Sequence, residues 1–308
     1  MIKKIIIILA VFLAGCTSNK TLKHPLDKSK SKTVVLENGL KVYLLSDPSF
    51  NVSAASVSVE VGSLDNPDDR QGLAHFLEHM LFLGTEKYPD VDEYSSYLKT
   101  YGGYSNAYTA SDHTNYQFQV LPDGFEGALD RFSQFFISPL FTEEYTAREV
   151  NAVNSEHQKN MLNDNWRQFR ISSLFAKEGH PERKFGTGNL ETLGDITREE
   201  LIRFYKQHYS ANRMGVALLS THSLEDMEGW CRQYFSSVKN RNLNRNTYDP
   251  NFLEKKETFR LIQIDPVKDV RNLNLLFSLP STRNLYKSKP GRQFGFILGY
   301  EGRGSLLS

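Results

Sequence analysis

Residues 75–84 read HFLEHMLFLG, an apolar run broken by three polar groups. A helix here sets His75 and His79 about 40° apart around its axis, with Glu78 on the same side. Phe76, Leu77, Leu81 and Phe82 then need a core to cover them. The fold must therefore bury most of this helix and still give its polar arc hydrogen-bond partners or a metal.

Both outcomes are open from these ten residues. Two histidines on an apolar helix are common as hydrogen-bonded core residues. Neutral imidazoles at this spacing also suit Zn2+, leaving room for a third protein ligand and a water. Zinc brings the pKa of such a water toward ~7, and Glu78 stands where a general base would take its proton. The H-x-x-E-H order inverts H-E-x-x-H and serves the same chemistry.

A third ligand must come from elsewhere, and REVNAVNSEH offers one. Glu149 and Glu156 lie seven positions apart, two helical turns, so they share a face. Such a pair can be only a solvated stripe, but Val150 and Val153 give the same segment an apolar side. Glu156 as ligand, with Glu149 supporting a neighbouring ligand, accounts for both carboxylates.

Charge and the N-terminus narrow the function classes. A net charge of +1 over 308 residues is not the footprint of a nucleic-acid binder. MIKK followed by the ten apolar residues IIIILAVFLA reads as an export signal, too short to span a bilayer comfortably. The junction LAGC resembles a bacterial lipobox, which makes Cys16 the lipidated first residue of the mature chain; a chance cysteine after a plain signal is the alternative. By the same resemblance, Thr17 in place of an aspartate favours the outer membrane, facing the periplasm. Cys231 is the only other cysteine, so no internal disulfide is expected, and in LEDMEGWCRQYF it reads as a buried small hydrophobe.

The rest of the chain alternates strand and helix signals without strict β-α order, which predicts an α+β fold, a mixed sheet packed with helices. TVVLENGLKVYLLSD reads as a hairpin around Asn-Gly, and VSAASVSVEVGS as a third strand. SNAYTA, HTNYQFQVL and MGVALLS are further strands. Helices are expected over 72–82, 92–100 and 124–137, over 142–175 with a break at 163–165, at TREELIRFYKQHYS behind a Thr197/Glu200 capping box, and around Cys231. ETFRLIQID and NLNLLFSLP read as strands, and Gly304-Ser305 as a helix start. The segments expected are a signal peptide at 1–15, a flexible tether at 16–32, a main domain at 33–240, a linker at 241–251 and a further segment at 252–308.

Four long stretches carry a resemblance: HFLEHMLFLGTEKYP, SNAYTASDHTNYQF, EGALDRFSQFFISPLF and REVNAVNSEHQKNMLNDNWR. They resemble the insulinase (pitrilysin) family of zinc metallopeptidases, in its long single-chain branch, over about Val34 to Ser308. The resemblance implies that 33–240 is a zinc peptidase domain and 252–308 an incomplete second domain of similar type, with one Zn2+ held by His75, His79 and Glu156, Glu78 as catalytic base, and Glu149 as the acid aligning the third ligand's helix. It also implies that the edge strand Ser105–Tyr108 holds peptide substrates by strand addition through Asn106 and Ala107. KFGTGNLETL matches as well, with Gly186 and Gly188 shaping a loop.

One departure matters. Members of this branch are several-fold longer and close a second, catalytically empty half over the first. The resemblance therefore implies an N-terminal fragment that binds zinc but cleaves peptides weakly alone. The expected partners are peptide substrates, the missing C-terminal half and, through the lipid anchor, a membrane; nucleic acid is not expected. Two alternatives stand beside this reading: a half-length processing-type subunit needing a partner, and a non-catalytic peptide-binding relative.

Overall fold

The computed structural model describes residues 23–253, 261–277, 279 and 282–306. The expected signal peptide and Cys16 lie outside them.

The hairpin is formed by β1 (Lys30–Val35) and β2 (Lys41–Ser46), paired antiparallel. β1 thus begins inside the expected tether. In β2, Val42 and Leu44 point into the core while Tyr43 points away. The Asn-Gly turn is docked as well as tight: Asn38 Nδ2 donates to the carbonyls of Phe235 and Val238, both at 2.9 Å.

β3 (Ser53–Val59) alternates in the same way, burying Ala55, Val57 and Val59. α1 (Leu73–Met80) is the HFLEHM helix, and α2 (Glu93–Thr100) follows it. β4 (Tyr104–Thr109) and β5 (Thr114–Val120) form a second hairpin, and α3 (Phe125–Gln134) returns across the sheet.

The long polar region is two helices, α4 (Glu143–Met161) and α5 (Asp164–Ser173). The expected break is real and has a local cause. Asn163 ends one helix, and its side chain accepts from Asn165 N and Trp166 N to cap the next. After the single turn α6 (Leu190–Leu193), α7 (Arg198–His208) opens with the expected reciprocal cap. Thr197 Oγ1 accepts from Glu200 N, and Glu200 Oε2 accepts from Thr197 N. β6 (Met214–Ser220), α8 (Leu224–Phe235) and α9 (Pro290–Gly299) complete the elements.

The six strands form one sheet in the order β1-β2-β6-β3-β5-β4. Only β2 and β6 run parallel, so the sheet is mixed and the fold is α+β as expected. One face carries the core, where Leu44, Val57, Tyr116, Phe118 and Leu218 meet Phe76, Leu77, Leu129 and Phe132 of the helices. Register aligns Tyr43, Ala217, Ser56, Gln117 and Asn106 in one row across the other face. β4 is an edge strand and lies beside α1. That neighbourhood sets up the site.

Three expectations fail in the last sixty residues. The described parts of ETFRLIQID and NLNLLFSLP are not strands; 257–260, 278 and 280 lie outside the described residues. Leu273 and Phe277 are each 81% exposed. Pairing is a property of two segments, and none of the described strands pairs with 261–277. Gly304-Ser305 lies in a turn, with Gly304 at φ 82°, and does not start a helix. The helix in this region is instead α9, with Pro290 in its first turn.

The polar segment expected as a linker runs along the main body. Asn246 Nδ2 and Tyr248 OH both donate to Asp65 Oδ1, the latter at 2.6 Å. Cys231 is fully buried, and burial pushes its thiol up to about 12. Among the described residues no helix is long and apolar enough to cross a membrane.

Candidate metal centre

Leu73, Ala74, Leu77, Glu78 and Met80 are good helix formers, and the loop before α1 holds its first turn. Asn66 Oδ1 accepts from Ala74 N at 2.8 Å, satisfying one of the free amides of its first turn. Leu73, Ala74, Phe76, Leu77 and Met80 go into the core. The remaining arc carries His75, Glu78 and His79. α4 crosses this arc, anchored by buried Val150 and Val153, so Glu149 and Glu156 come over the histidines.

The four groups converge. His75 Nε2 and His79 Nε2 are 3.3 Å apart, and Glu156 Oε2 lies 3.5 Å from the first and 3.7 Å from the second. A cation at the centre of such a triangle sits about 2.0 Å from each corner, the usual Zn–N and Zn–O distance. The donor set fits zinc, two imidazoles and one carboxylate, and the Glu156 side chain is 40% exposed.

The far nitrogens are also fixed. His79 Nδ1 lies 3.4 Å from Glu149 Oε2, and His75 Nδ1 lies 2.8 Å from the carbonyl of Thr187. Each histidine therefore turns Nε2 toward Glu156. Glu149 also pairs with Arg148 Nε at 3.2 Å.

Electrostatics follow the geometry. Burial disfavours the charged form of His79, but Glu149, Glu156 and Glu78 outweigh it and raise its pKa to about 9. The hydrogen bond from His79 lowers both Glu149 and Glu156 against the opposing effect of burial. Glu78 moves the other way. It is buried, desolvation raises its pKa, and His75, Thr109 and His79 hold it only partly down. A zinc ion must displace the His79 proton, so its binding is coupled to pH.

Glu78 Oε2 accepts from Thr109 Oγ1 at 2.5 Å. Sequence reasoning missed this contact, although the signal was there. Period-two alternation puts Thr109 on the same side of β4 as Ser105 and Ala107, opposite Asn106. The Thr187 carbonyl was invisible, because a backbone acceptor has no signature in the sequence.

Asn106 and Ala107 fall on opposite faces of the edge strand. Asn106 is exposed, and Ala107 packs against the core. Ala107 can therefore meet a partner strand only through its backbone.

Residues 41–178 match the insulinase family (peptidase family M16), and residues 195–308 match the peptidase M16 inactive domain. The second match takes in β6, which lies inside the sheet of the first. The chain is 45% identical to human (Homo sapiens) insulin-degrading enzyme over 297 residues, 94% of this chain and 29% of that protein. It is 42% identical to the A-factor-processing enzyme of Saccharomyces cerevisiae over 294 residues, 93% of this chain and 29% of that protein. The chain thus spans under a third of the length of these relatives. The crystal structure of pitrilysin superposes with a TM-score of 0.73 at 34% identity, covering 77% of this chain and 26% of that one. Fold, donor set and relatives agree: the chain belongs to the insulinase family, peptidase family M16.

Proposed function

We propose that this chain carries the zinc centre of a metalloendopeptidase, with His75, His79 and Glu156 as ligands and Glu78 as general base. The observation behind the reading is the triangle of two Nε2 atoms and one Oε2, with a buried carboxylate beside it. Bound zinc supplies Lewis acidity toward the scissile carbonyl and its water. Glu78 takes the proton of the attacking water and returns it to the leaving amine. Burial raises its pKa, the direction that strengthens a carboxylate as a base. The outer edge of β4 aligns the peptide by main-chain hydrogen bonds, Asn106 and Ala107 lying at its middle. Glu149 holds His79 in register.

Much of the wall around such a site then lies outside residues 1–308, a reading supported by the match covering only 29% of human insulin-degrading enzyme. In this reading the wall comes from further sequence of the same polypeptide or from a partner subunit, and the chain alone turns peptides over weakly. The sequence LAGC supports export and lipid anchoring at Cys16, with the site facing the periplasm.

The test compares wild type with Glu78→Gln, by metal analysis and by cleavage of an internally quenched peptide, with the complementary half present. Equal zinc content and a loss of about 10²–10⁴ in rate support the base assignment. Equal, measurable rates refute it, whereas zinc bound with no cleavage by either protein favours a non-catalytic peptide-binding relative.

A further inference from the structure

Sequence reasoning assigned Gly186 and Gly188 to loop shape alone. The structure gives this loop a direct contact with the metal centre, at an atom that no ligand assignment covers.

The segment Lys184–Gly188 is stitched along the loop that leads into α1. Lys184 Nζ donates to Asn66 O at 2.6 Å and pairs with Asp68 at 3.1 Å. Phe185 N donates to Gln71 Oε1 at 2.6 Å. The two strips then meet at two glycines. A Cβ on Gly72 would overlap the Cα and N of Gly188 and stand 2.9 Å from the Thr187 carbonyl carbon. A Cβ on Gly188 would overlap Leu193 Cδ1 and come within 3.3 Å of Gly72 Cα. Both glycines have left-handed φ, 93° and 84°, so no other residue adopts this crossing without strain.

The crossing delivers the Thr187 carbonyl to His75 Nδ1 at 2.8 Å. A carbonyl oxygen only accepts, so Nδ1 must carry the proton and Nε2 must present its lone pair. His79 has a carboxylate in the equivalent place. The two histidines are therefore oriented by different chemistry, one by a side chain and one by backbone alone.

We infer that Gly188, crossing against Gly72, is a positioning residue for the metal centre: it seats the Thr187 carbonyl that locks His75 in the Nδ1–H tautomer. The inference rests on His75 being a ligand, as proposed above, but its principal readout needs no metal.

That readout is the tautomer of His75 in chelator-treated protein, from long-range ¹H–¹⁵N correlation above the ordinary imidazole range. Wild type is expected to show Nδ1–H only. Gly188→Ala is expected to admit the Nε2–H form and to weaken zinc binding about 10–100-fold in a chelator competition. Gln71→Ala frees Phe185 N without adding bulk, and is expected to shift both readouts the same way by a smaller factor. It decides the question if Gly188→Ala fails to fold.

A folded variant that keeps pure Nδ1–H and wild-type zinc affinity overturns the inference. If wild type binds no zinc, the zinc-centre reading fails while the tautomer still decides the clamp. If wild type binds zinc and Glu78→Gln behaves as expected, an unmoved tautomer sinks the clamp alone.

Discussion

Thr109 Oγ1 donates to Glu78 Oε2 at 2.5 Å, joining the last residue of the edge strand to the carboxylate beside the two histidines. The contact links the strand proposed to align substrate with the base proposed to move its proton. A peptide added to β4 would therefore be registered against the same backbone that orients Glu78.

Thr109→Val removes the hydroxyl and keeps the shape. A hydrogen bond to a charged group contributes about 1.5–3 kcal/mol, so kcat should fall roughly 10–100-fold with zinc content unchanged. Thr109→Ser should recover most of the loss. Steady-state kinetics of the three proteins check this, and a Val variant with wild-type kcat would remove Thr109 from the mechanism.

Zinc should stabilise the fold by mass action. At free zinc about 100 times the dissociation constant, the gain is about 2.7 kcal/mol, or roughly 5–10 °C in Tm for a domain of this size. His79→Ala and Glu156→Ala should abolish the zinc-dependent rise, and Glu149→Gln should need about 10–100-fold more zinc to reach it. Thermal melts across a zinc titration measure all four proteins.

His208 makes stability depend on pH away from the metal. Its Nδ1 is buried without a hydrogen-bond partner, and its ring lies 4.4 Å from that of Phe204. Burial lowers its pKa below 6.5, Arg213 adds to the effect, and Asp65 opposes it. The unfolded chain then binds a proton more readily than the folded one. Stability from this group is complete above the unfolded value of 6.5 and is lost as pH falls through the folded value. Urea midpoints of wild type should drop in that window, and those of His208→Phe should drop less. Parallel curves would count against the assignment.

Two phenylalanines should separate core from surface. Phe132 is fully buried, with the rings of Phe118, Phe135 and Phe136 at 5.1–5.7 Å. Phe132→Ala should cost about 3–5 kcal/mol. Phe296 on α9 is 69% exposed, and Phe296→Ala should stay within about 0.5 kcal/mol. Denaturant unfolding of the two variants tests the contrast.

Much was legible along the chain because it is local. The Asn-Gly hairpin, the Thr197/Glu200 cap, the break at Asn163 and the polar arc of α1 are each written within a few residues, by turn chemistry, capping and period. The strands expected beyond residue 256 failed for the complementary reason. An apolar alternating run becomes a strand only when another strand accepts its hydrogen bonds, and the described part of this region has none.

The sequence by itself determined which side chains are available: two imidazoles and a carboxylate on one helical arc, and two more carboxylates on one face of another helix. Only the tertiary structure decided their geometry. Packing of Val150 and Val153 brings Glu156 within 3.7 Å of both histidines, which lie 77 and 81 positions earlier in the chain. The end of β4 brings Thr109 to Glu78, and a crossing of two glycines brings a backbone carbonyl to His75. Helical period fixes angles around one axis, whereas a coordination site needs distances between axes, and those come from the core that packs the elements together.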